Sequence, residues 1–134
     1  NDIYIAHENP AATTRYRVIA AHHGITEESK DYKHSGLLVC AAAGSTGWMY
    51  EANGDIMPLD SQEMQYITFG KRGERSHYAD RLAIHSKTAE AKIYVDGAHL
   101  IHDFPIGSDL KVVCNYPLTI IGDLAVKRKQ FVNK

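Results

Sequence analysis

The sequence predicts a mainly β fold, an antiparallel sandwich or barrel with one short helix, and three observations predict it. Short β-branched and aromatic runs recur at close spacing, an Asp-Gly pair joins two of them, and a single stretch carries helix signals. The 134 residues are one domain's worth of chain. A chain of that size buries roughly 68% of the surface its unfolded form exposes.

Residues 1–5 (NDIYI) enter a strand at once through Ile3, Tyr4 and Ile5, without an initiator Met. A looser lead-in is expected at a natural start, so the chain reads as a piece of something longer. Residues 15–21 (RYRVIAA) form a β-branched and aromatic run closed by His22-His23-Gly24. Residues 37–43 (LLVCAAA) are continuously apolar, which fits a strand buried on both faces. Ser45 or Thr46 is placed to cap a helix through Trp48, Met49 and Tyr50, over about 45–53, with Gly54 as its stop. Residues 64–69 (MQYITF) read as a strand and 70–76 as a polar loop.

Residues 91–95 (AKIYV) and 99–104 (HLIHDF) flank Asp96-Gly97. That is a hairpin signal, because both central residues of a type I′ turn need φ > 0. Gly107-Ser108 turns the chain into 109–115, and Pro117 sets off a last apolar run at 118–121. The domain is expected to span 1–125, leaving 126–134 as a solvated basic tail around Lys127-Arg128-Lys129.

Composition excludes several functions. Hydrophobic residues make up 44% and charged residues 23%, as in a soluble globular protein. Fifteen Lys and Arg oppose sixteen Asp and Glu, so no global field draws in nucleic acid or an anionic membrane. No apolar stretch approaches the roughly 20 residues of a membrane span, and no signal peptide opens the chain. Cys40 and Cys114 each sit in an apolar run, far apart, and read as buried thiols in a reducing cytoplasm. Among the eight histidines, His22 and His23 diverge, as do His99 and His102 on one strand, so no metal site is expected.

The segment with chemical content runs from Ser35-Gly36 through the apolar run to Gly44-Ser45-Thr46-Gly47-Trp48. A buried strand feeds a small-residue turn, and the turn opens a helix. Gly44 and Gly47 allow a ligand close to the backbone, while Ser45 and Thr46 offer hydroxyls beside free amides. Trp48 adds a flat ring on which a base can stack. A plain turn and a core Trp are the structural alternative.

Asn1-Asp2, then Ser35-Gly36, then Gly44-Ser45-Thr46-Gly47-Trp48, then Val95-Asp96-Gly97 together resemble the C-terminal domain of the NAD kinase family, within the ATP-NAD kinase and diacylglycerol kinase-like superfamily. The likeness covers roughly residues 1–122 and is closest to the mitochondrial-type and related bacterial branch. It implies a two-sheet antiparallel sandwich. It also implies a phosphotransferase that makes NADP from NAD and ATP with Mg²⁺, assembled as a homo-oligomer.

In that family an Asn-Glu pair grips adenosine or ribose groups; Asn1-Asp2 matches it with an acid one methylene shorter. The family's Gly-Ser/Thr-Thr-Ala-Tyr turn, which holds adenine, is matched by Gly44, Ser45, Thr46, Gly47 and Trp48. Ser35 stands where many members carry the acid of a Gly-Asp-Gly. The Gly-Gly-Asp-Gly motif, whose Asp is the family's proposed base, is absent from these residues. The chain is therefore expected to bind nucleotide and to lack catalysis by itself. The alternatives are a non-catalytic nucleotide-binding or interaction domain, or a lipid or sugar kinase of the same superfamily.

Overall fold

The computed structural model describes residues 1–115, 117–119, 121–123, 126, 128 and 129. In chain order they form β1 (Asp2–His7), β2 (Thr14–His22), β3 (Ile25–His34) and β4 (Gly36–Cys40). A 3-10 turn (Ala42–Thr46) and the one-turn helix α1 (Trp48–Glu51) follow. Next come β5 (Met64–Phe69), β6 (His77–Ala79), β7 (Arg81–Ser86), β8 (Ala91–Val95), β9 (Leu100–Asp103) and β10 (Asp109–Val113). Two sheets result, one ordered β6-β5-β4-β1-β8-β9 and the other β10-β7-β2-β3. Every strand pairing among the described residues is antiparallel.

Period-2 alternation decides which residues fill the space between the sheets. From the larger sheet come Ile5, Leu37, Val39, Met64, Tyr66 and Ile93; from the smaller, Tyr16, Val18, Leu82 and Ile84. Tyr16 is fully buried, and its hydroxyl donates to the Gly36 carbonyl at 3.0 Å, tying the two sheets together. Burial holds that phenol neutral by raising its pKa.

β4 is buried at all five positions. Leu37 and Val39 face the core, while Leu38 and Cys40 face outward under Met49 of α1. The expectation of a doubly buried strand thus holds, and it explains why this run shows no alternation.

Several sequence expectations change. β3, β6 and β7 were not anticipated. The helix is shorter than expected: a 3-10 turn occupies 42–46, and α1 starts after Gly47 with no side-chain cap from Ser45 or Thr46. Its stop is Asn53, which holds φ +64, while the following Gly54 N–H closes back on the Met49 carbonyl at 2.8 Å. A Cβ at Gly54 would fall 2.4 Å from Gln65 Oε1, so glycine is needed there for space rather than for φ.

The hairpin has both expected positive φ values, 49° at Asp96 and 70° at Gly97. Its loop includes Ala98 and His99, however, so His99 is not on the strand. Leu118, Thr119 and Ile121 belong to no strand; Ile120 lies outside the described residues. Lys127 and residues 130–134 also lie outside them, but Arg128 is half-buried rather than solvated. No helix among the described residues is long and apolar enough to cross a membrane.

Candidate functional site

β4 carries the candidate turn at its C-terminal end, and β1 brings Asn1 and Asp2 alongside. Asp2 pairs with Cys40 in the β1–β4 register, and the Ala41 N–H donates to the Asn1 carbonyl at 3.0 Å. A Cβ on Gly44 would stand 2.4 Å from that same carbonyl oxygen. Gly44 therefore lets the turn close onto the Asn1 backbone. On the other side the Asp96 N–H donates to the Asp2 carbonyl at 3.0 Å, and Asp96 Oδ1 accepts from the Asp2 N–H at 3.2 Å. Asn1, Asp2, Gly44 and the Asp96 hairpin meet at one end of the larger sheet.

Trp48 lies over the outer face of that sheet. Its ring centroid is 4.7 Å from Tyr4 and 5.5 Å from Phe69, and Tyr4 in turn is 6.3 Å from Tyr94. With 36% of Trp48 exposed, one part of the ring packs and another faces solvent. Such a ring is partly core and partly surface.

The remaining matched residues divide. Thr46 is half-exposed and Gly47 exposed. Neither the Thr46 hydroxyl nor the Asn1 side-chain amide forms a hydrogen bond among the described residues, so both remain available to a ligand. Ser45 is fully buried; its hydroxyl donates to the Ala42 carbonyl at 2.7 Å and accepts from the Met57 N–H at 2.9 Å. It is a strut inside the turn. Ser35 is exposed at the opposite end of β4, where its N–H donates to the Phe69 carbonyl at 3.0 Å. The Tyr4 hydroxyl reaches back to the Ser35 carbonyl at 3.5 Å, so the aromatic group links the two ends. A ligand touching both Asn1 and Ser35 has to extend along the outer face past Trp48.

Beyond Phe69 the same face opens into a cleft of about 340 Å³ between residues 51–53 at the end of α1 and residues 67–71, 73 and 74. Tyr4, Phe69 and this cleft were missed from sequence. The signal was present: Tyr4 and Tyr94 each alternate with inward aliphatic residues, which marks an aromatic outer face.

Burial, and then Asp2, push the Cys40 thiol up to about 12, so it is an inert hydrophobe at neutral pH. Burial followed by Tyr94 likewise raises the Tyr4 phenol. No group of three or more His, Cys, Asp or Glu placed to hold a metal occurs among the described residues.

No established family profile matches the chain. It is 29% identical to a probable NADH kinase of Oryza sativa subsp. japonica, the match covering 88% of this chain and 40% of that one. With an NADH kinase of Arabidopsis thaliana it shares 27% identity, over 64% of this chain and 30% of the relative. This chain thus spans less than half the length of either curated relative. In structure it matches an NAD kinase from Archaeoglobus fulgidus, solved in complex with ATP, at a TM-score of 0.73 and 18% identity, over 99% of this chain and 51% of that one. It matches yeast NADH kinase, solved with NADH, at 0.68 and 18%, over 85% and 34%.

Proposed function

We propose that this chain is an NAD kinase-type C-terminal domain, the nucleotide-binding half of an NAD(H) kinase-like phosphotransferase; its likeness in sequence and fold to NAD(H) kinases supports this. The observation that carries this reading is the convergence of Asn1, Asp2 and Gly44 at one end of the sheet, beside the half-exposed ring of Trp48. NAD is the proposed ligand, extended along the outer face. Thr46 and Asn1 supply polar contacts, Trp48 stacks on a ring, and Ser35 marks the far end. ATP is the proposed phosphate donor of the whole enzyme.

The binding surface offered by this chain is an open face, so affinity for NAD is expected near millimolar, about −4 kcal/mol. Titration of NAD into isotope-labelled protein should move amide signals at 44–48 and near Asn1 and Asp2. Trp48→Ala should abolish the response and His102→Ala should leave it intact. Shifts confined to the Asp96-Gly97 hairpin would place the ligand elsewhere and sink the assignment.

A non-catalytic nucleotide-binding domain is the second reading, favoured by the lack of a metal-ligand group among the described residues. Association with a second copy is also proposed: β9 is a sheet edge, and Leu100 and Ile101 on it are 48% and 53% exposed. Light scattering at high protein concentration should give a mass above that of one chain; a strictly monomeric mass would exclude it. A reducing, cytoplasmic setting suits two unpaired thiols.

A further inference from the structure

Arg128 reaches the candidate turn from the far end of the sequence. Its Nη2 donates to the Ala42 carbonyl at 3.0 Å and to Ser45 Oγ at 2.9 Å, spanning 86 and 83 positions of chain. A hydroxyl has one donor and two acceptor sites. The Ser45 hydroxyl uses all three: it gives to the Ala42 carbonyl and accepts from the Met57 N–H and from Arg128. A tail arginine ordinarily keeps its guanidinium in water. Here Nε is buried with no acceptor among the described residues, so the two Nη2 bonds are what this side chain gains by docking.

Few other hydrogen bonds among the described residues hold the turn. Neither the 3-10 turn nor α1 has a side-chain cap, and α1 is a single turn. Besides its packing on β4, β5 and α1, the turn is held by hydrogen bonds among the described residues from the Ala41 N–H to the Asn1 carbonyl, from the Met57 N–H to Ser45, and from Arg128. Thr46, Gly47 and Trp48 follow Ser45 directly. A loosened Ser45 therefore moves the hydroxyl and ring that the dinucleotide reading assigns to the ligand.

We propose that Arg128 is a positioning residue: it pins the 42–46 turn through Ala42 and Ser45 and so sets the placement of Thr46 and Trp48 for nucleotide. The proposal rests on the nucleotide reading for its consequence but not for its geometry, and the test separates the two. Hydrogen exchange is followed in the wild-type chain, Arg128→Ala and Arg128→Lys, and each is then titrated with NAD.

Amides 43–48 should exchange about tenfold faster in Arg128→Ala, with β2 and β7 unchanged. Arg128→Lys, whose ammonium still offers several donors, should restore most of the protection. NAD affinity should fall about fivefold or more in Arg128→Ala and recover in Arg128→Lys. Unchanged exchange at 43–48, or acceleration spread equally over β2 and β7, overturns the anchor. Equal NAD affinity in all three proteins overturns its role in positioning. If the wild-type chain shows no NAD response at all, the nucleotide reading fails, and exchange still decides the anchor.

Discussion

A Cβ built on Gly44 falls 2.4 Å from the Asn1 carbonyl oxygen, whereas one on Gly47 meets only the Gly44 carbonyl at 3.6 Å. Two glycines that look alike in the sequence thus have different reasons to be there. Gly44→Ala forces a methyl into backbone and should cost about 1–3 kcal/mol, while Gly47→Ala should stay within about 0.5 kcal/mol. Urea denaturation of the two variants checks this, and equal stabilities would show that Asn1 gives way without cost. The same division separates Ser45 from Thr46. Both read as ligand donors in sequence, since hydroxyl residues in a turn look equivalent until burial is known. The fold sends Ser45 inward, where Met57 and Arg128 occupy it, and leaves Thr46 at the surface. A partner 83 residues away carries no local signal, so Arg128 reads only as part of a basic run.

At the scale of elements, legibility followed hydrophobic pattern. β4, β5 and β8 were readable because apolar or alternating runs mark them. β3 was not, because this edge strand, from Ile25 to His34, is mostly polar and fits solvent as well as a turn would. β7 does alternate, with Leu82, Ile84 and Ser86 inward, but Arg81 and His85 between them hide the pattern. The helix boundary moved because Asn53 adopts the left-handed conformation that Gly54 seemed chosen for. The polar loop after β5 was read correctly as a loop, yet it is braced electrostatically. The Glu74 side chain is only 6% exposed, with Lys71 Nζ on one oxygen and His77 Nε2 at 3.0 Å from the other. Burial opposes its ionisation, but those two partners outweigh it and hold the carboxyl below its ordinary value of 4.5. A depressed carboxyl stabilises the fold above its unfolded pKa and loses that contribution as pH falls through the folded one. The stability gap between wild type and Glu74→Gln should therefore be full above pH 4.5 and close progressively below it. A gap that stays constant through acid unfolding titrations would show that the carboxylate contributes nothing by being charged.

For the whole molecule, the face that supports nucleotide recognition has to be weighed against the chemistry of phosphoryl transfer. That reaction asks a protein for positioning of donor and acceptor and for metal-assisted stabilisation of charge on the transferred group. Among the described residues no group of His, Cys, Asp and Glu is placed to hold a metal. Two of the acids near the candidate face are already engaged. Asp96 Oδ1 accepts from the Asp2 N–H at 3.2 Å, and the Asp55 carboxylate accepts from the Tyr78 hydroxyl at 2.6 Å. Burial and then that carboxylate push the Tyr78 phenol up to about 12, which keeps it a hydrogen-bond donor. The Asn53-Gly54-Asp55 stretch resembles part of a glycine-acid motif, but it ends α1 and closes on Gln65, whose Oε1 accepts from the Asp55 N–H at 2.7 Å. The 134-residue chain incubated with NAD, ATP and Mg²⁺ should therefore form no NADP above a mock-purified control, even at concentrations where the Trp48 face is substantially occupied. Adding Trp48→Ala, expected not to bind NAD, separates causes: NADP formed by the wild-type chain and lost in the variant would mean that this face catalyses, and that a phosphate donor and its metal find ligands among its side chains.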